Sequence, residues 1–80
     1  MLITKRYKEL KVGDEFLIEY GAYGNYTGAI VKEIHYHPDR ERRPNTMVLT
    51  YTIPHYRGDE EFNDMAVDYY PVEVRVKENA

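Results

Sequence analysis

The chain has 80 residues, 42% of them hydrophobic, with nine Tyr, two Phe and no Trp, and a net charge of −3. That length allows one small domain, residues 1–80, with a compact core, and so many phenol rings mean that some tyrosines must stay at the surface, where the hydroxyl finds water or a partner. With no cysteine there is no disulfide framework, thiolate metal site or cysteine nucleophile, and the mild net charge says less about partners than its distribution does.

The apolar run before Lys5 is too short for a signal-peptide core, and no stretch approaches the ~18 apolar residues of a membrane span. The expectation is a soluble, cytoplasmic protein without a membrane partner. Charge is segregated along the chain. Lys5, Arg6, Lys8 and Lys11 make the start basic, Arg40, Arg42 and Arg43 form a second basic site, and Asp59, Glu60, Glu61, Asp64 and Asp68 form an acidic stretch.

Leu2 to Thr4 reads as a short strand, and Gly13-Asp14 as a turn into the next. Phe16, Ile18 and Tyr20 recur at every second residue, the period of a half-buried strand. Gly21 to Gly28 then reads as an eight-residue loop whose glycines let the backbone reverse while Tyr23 and Tyr26 project. Its glycine spacing matches neither the P-loop nor the dinucleotide fingerprint, so no nucleotide cofactor is expected. Asn25-Tyr26-Thr27 spells a glycosylation acceptor, which without export is coincidence.

From Thr27 to His37 the run is β-branched and aromatic, but its apolar residues change parity around Lys32. That pattern predicts a long strand bent at a bulge. Residues 38 to 46 form a polar loop, after which Met47, Leu49, Tyr51 and Ile53 alternate with Val48, Thr50 and Thr52 in the clearest strand pattern of the chain. Tyr56 and Phe62 are expected to flank a small hairpin at Arg57-Gly58-Asp59, a tripeptide that here serves as turn chemistry rather than adhesion. Met65, Ala66 and Tyr69 have the spacing of one helical turn, which predicts a 3₁₀ or brief α segment near residues 63–69. Val72, Val74 and Val76 then alternate with charged residues in a last strand entered through Pro71.

The fold class expected is all-β: a small, five-stranded, partly open barrel with one short helical turn. The succession of a first strand after Leu10 to Asp14, a glycine- and tyrosine-bearing loop, a bent central strand, and a short turn at Asp68-Tyr69-Tyr70-Pro71 before a final valine strand resembles an SH3-like barrel. The resemblance is one of architecture. It implies binding of peptides, proteins or nucleic acid through loop aromatics, although the tryptophan of peptide-binding SH3 domains is missing.

For catalysis the chain offers no serine, no cysteine and no recognised motif, so it is not expected to be an enzyme. His35 and His37, two apart on a strand, could share a metal ion, but His55 would lie at the far end of the neighbouring hairpin, so no metal is expected. The tyrosines remain. The leading expectation is a protein- or peptide-binding module whose patch is Tyr23, Tyr26, Tyr69 and Tyr70, flanked by Asp59, Glu60 and Glu61, which favour a basic partner. The competing reading is that half of these rings merely cap the barrel ends. The alternatives are RNA or single-stranded DNA binding through Arg40, Arg42 and Arg43, and a small phage-type inhibitor with an acidic face. The same composition is compatible with a homo-oligomer.

Overall fold

The computed structural model describes residues 1–20, 25–54 and 60–76. They form six strands and one 3₁₀ turn: β1 (Leu2–Arg6), the turn Tyr7–Glu9, β2 (Glu15–Tyr20), β3 (Asn25–Tyr36), β4 (Thr46–Thr52), β5 (Glu61–Val67) and β6 (Pro71–Arg75). All lie in a single antiparallel sheet in the order β1-β6-β2-β3-β4-β5. The sheet is not closed by a β1–β5 ladder, and it has six strands where the sequence pattern predicts five.

One connection forces this sheet to curl. β5 and β6 stand four strand spacings apart, roughly 19 Å in a flat sheet. The residues between them, Asp68–Tyr70, reach at most about 14 Å. The end of β5 therefore meets the start of β6 only because the sheet folds over. Its concave face holds the core: Phe16, Ala29, Val31, Leu49, Tyr51, Val72 and Val74, capped by Leu10 and Ile53. Phe16 meets the Tyr51 ring edge-on at 5.4 Å, and Phe62 stacks with that ring at 5.9 Å.

The bend expected in β3 is present. Val31 pairs with Tyr51 and Glu33 with Thr50, so Lys32 is an extra residue, and the inward set switches from Ala29 and Val31 to Ile34 and Tyr36. Such a bulge adds bend and twist to a strand, here in the middle of the sheet where curl is needed.

Two further expectations are corrected. Residues 63–69 hold no helical turn. Asn63 to Val67 belong to strand β5, which pairs with β4 from Thr46↔Val67 to Thr52↔Glu61, and the 3₁₀ turn lies at Tyr7–Glu9. The three-to-four spacing misled because Asp64, pairing opposite Leu49, takes an inward position and breaks the apolar alternation. Residues 25–28 are strand rather than loop, since Asn25 to Gly28 pair with Tyr20 to Leu17. Gly28 serves close approach and not reversal, because a Cβ there would land on the Glu15 carboxylate, which Arg75 holds at 3.1 Å. Phe62 lies in the β4–β5 pairing opposite Tyr51, while Tyr56 and the turn expected at Arg57-Gly58-Asp59 lie outside the described residues. No helix among the described residues is long and apolar enough to cross a membrane.

Candidate functional site

Three segments converge at one end of the sheet: the loop after β3, the β5–β6 turn and the 3₁₀ turn. The loop is organised by Asp39. Its carbonyl accepts the Arg43 N–H at 2.9 Å, its side chain accepts the Arg42 N–H at 3.4 Å, and its own N–H donates to His37 Nδ1 at 3.0 Å. The Asp68 N–H donates to the Asn45 carbonyl at 2.8 Å, tying the turn to the loop. The Lys8 and Tyr7 N–H groups donate to the carbonyls of Asp68 and Tyr70 at 2.9 and 3.0 Å, and Arg6 Nη1 donates to the Tyr69 carbonyl. A turn held from both sides presents its side chains in fixed positions.

Tyr36, the last residue of β3, joins the parts. Its hydroxyl donates to Asp68 Oδ2 at 2.9 Å, and the Arg40 guanidinium lies over its ring at 4.2 Å. The hydrogen bond to Asp68, followed by desolvation, holds this phenol above the ordinary tyrosine range. Tyr69 and Tyr70 pack edge to face at 5.3 Å, each about half exposed.

Beside them lies a hollow of about 620 Å³ walled by Asp39, Arg42, Arg43, Pro44 and Tyr69. A smaller, more apolar hollow of about 300 Å³, walled by Tyr7, Met65, Ala66 and Tyr70, shares Arg43, Thr46 and Val67 with it. Together they make one groove, cationic at one end and apolar at the other. The Arg42–Asp39 contact is long, 4.0 Å, and solvent-exposed, so it leaves the Arg42 guanidinium available.

The arginine loop and the tyrosine pair, read from the sequence as rival patches, are thus adjacent. The four tyrosines are not. Tyr26, 66% exposed, is the second residue of β3, ten residues before Tyr36, a contour of roughly 30 Å. Glu60 and Glu61 sit at the start of β5, roughly 20 Å along the strand from Val67 and the turn. Tyr23 and Asp59 lie outside the described residues. Sequence reading missed Tyr7, Met65 and Val67, whose part in the groove depends on the long-range bonds around Asp68 and Tyr70.

His35 is exposed on β3 opposite Val48, while His37 falls beyond the strand with its Nδ1 engaged by Asp39. His55 is outside the described residues, among which no three His, Cys, Asp or Glu side chains are placed to hold a metal ion. Comparison of the chain with family models, with curated proteins and with solved structures found no match.

Proposed function

We propose that the chain is a non-catalytic peptide-binding module on an SH3-like barrel, and that its partner is an extended peptide carrying carboxylates next to apolar side chains. The barrel reading is supported by the succession β6-β2-β3-β4-β5 and by the short turn before the last strand of that set, with β1 added outside it. The observation that carries the binding reading is the single groove in which Arg42 and Arg43 stand beside Tyr69 and Tyr70. Carboxylates meet the two guanidinium forks, and an apolar side chain enters between Met65 and Tyr70. This reverses the charge of the partner expected from the sequence, because Glu60 and Glu61 flank the other end of β5.

Single-stranded nucleic acid is the competing ligand, since arginines beside exposed rings also suit phosphates and bases. Asp39 inside the same groove and a net charge of −3 weigh against a polyanion. The test is fluorescence anisotropy with two probes at low and moderate salt: a short labelled peptide alternating Glu with Leu and Phe, and single-stranded RNA. The expected result is saturable peptide binding, weakened about tenfold by Arg43→Glu and by Tyr69→Ala. Binding of RNA alone, with a steep loss in salt, moves the function to nucleic acid. Binding of neither probe, or of the peptide with both variants at full strength, overturns the groove.

A further inference from the structure

The sheet ends in two unpaired edges, and their chemistry is opposite. Strand ladders alternate, so one hydrogen bond fixes which backbone groups point outward. On β1, the Val76 N–H donates to the Met1 carbonyl at 2.8 Å, which turns the groups of Ile3 and Lys5 toward β6 and those of Leu2 and Thr4 to the open side. The Arg6 N–H, of the outward set, is taken by Glu9 Oε1 at 3.0 Å, closing that end of the edge. On β5, the Asp68 N–H to Asn45 bond turns the groups of Phe62, Asp64 and Ala66 toward β4 and those of Asn63 and Met65 outward. Among the described residues no backbone hydrogen bond reaches the outward groups of Leu2, Thr4, Asn63 or Met65.

Open edges are ordinarily blunted, yet each of these carries an exposed apolar side chain: Leu2 is 47% exposed and Met65 57%. β1 holds Lys5 and Arg6 with no acid, and β5 holds Glu61 and Asp64 with no cation. Pairing like with like would oppose like charges, whereas pairing β1 with β5 opposes unlike ones.

We propose that this chain associates with copies of itself head to tail, the β1 edge of one protomer adding to the β5 edge of the next. Antiparallel pairing that sets Leu2 opposite Met65 sets Thr4 opposite Asn63 and Arg6 opposite Glu61. The outward groups of Leu2 and Thr4 then face those of Met65 and Asn63, with an apolar pair and a polar pair on the outer surface, while Arg6, whose N–H is held by Glu9 and whose Nη1 is held by the Tyr69 carbonyl, brings only its positive charge to Glu61. Because the two patches differ, the contact is heterologous and repeats into a ring or an open filament. A contact limited to two short edges is small, so assembly is concentration-dependent and weakens with salt.

The test uses proline, which is tolerated on an edge strand where the N–H faces away from the ladder and which blocks further pairing there. Thr4→Pro removes an outward N–H of β1, and Met65→Pro one of β5. In sedimentation velocity, the full chain should form species larger than a monomer as concentration rises, and each variant alone should be monomeric. An equimolar mixture should give a one-to-one dimer and nothing larger, since one variant keeps the β5 edge and the other the β1 edge. A monomeric parent chain, a variant that assembles like the parent, or a monomeric mixture each overturns the proposal. Should one proline variant lose its circular dichroism, Leu2→Glu replaces Thr4→Pro, or Met65→Lys replaces Met65→Pro, placing like charge against like across the contact, with the same reading of the mixture.

Discussion

The Tyr51 hydroxyl donates to Asp64 Oδ2 at 3.1 Å, linking a ring of the core to a carboxylate on the strand at the open edge. Tyr7, from the 3₁₀ turn, faces the same carboxylate. Burial first, then the Asp64 charge, raise the Tyr51 phenol from 10.0 to about 12, and the same two causes raise Tyr7.

A folded-state value above the unfolded one favours the neutral phenol in the folded chain. The contribution is whole below pH 10 and is lost as pH rises toward 12. Denaturation of the parent chain at stepped alkaline pH should show stability falling across that window. Asp64→Asn should lower the tyrosinate midpoint of Tyr51, and Tyr51→Phe should flatten the alkaline limb while costing about 1 kcal/mol at neutral pH. An alkaline limb identical in all three chains would remove this cluster as its source.

The two faces of β4 should respond very differently to truncation. Leu49 is almost fully buried against the concave core, and its neighbour Val48 lies on the outer face beside His35 and Met65. Leu49→Ala should cost about 2–5 kcal/mol, measured by urea unfolding, and Val48→Ala under about 1. Equal losses would mean that the inward set has been misassigned.

Gly13 and Gly28 are needed for different reasons. At Gly13 φ is 95° and an added Cβ has nothing within 4 Å, so Gly13→Ala should cost about 1 kcal/mol through backbone strain alone. At Gly28 the Cβ must displace Glu15 from Arg75. Its cost should therefore shrink in a Glu15→Ala background, whereas that of Gly13→Ala should not.

Tyr36→Phe keeps the ring under Arg40 and removes only the bond to Asp68. The thermal midpoint should hardly move, while affinity for the Glu-, Leu- and Phe-containing peptide should fall roughly threefold to tenfold as the loop and turn lose their tie. Undiminished affinity would show that the Asn45–Asp68 backbone bond alone sets the groove.

Much of the sheet is legible in the sequence where one face is wet and the other dry. Met47 to Ile53 and Val72 to Val74 declare their inward sides by alternation, and the parity change around Lys32 marks the bulge. β5 is illegible for a physical reason. It pairs on one side only, and its inward position 64 is filled by an aspartate whose partner is a core hydroxyl, so the apolar period is interrupted where a strand is being read. The groove is harder still. Arg43 and Tyr69 become neighbours through bonds from Asp68 to Asn45 and from Tyr7 to Tyr70, and local spacing carries no trace of such bonds.

The pairing of Leu2 with Arg75 has a consequence for synthesis. A ribosome delivers β1 first and its only ladder partner last, so the nascent chain can zip the β2–β3 and β3–β4 hairpins while the opening strand waits without a mate. The sheet can be completed only once residues 71–75 have emerged, and a message cut short before residue 71 would yield a product with a permanently orphaned leading strand.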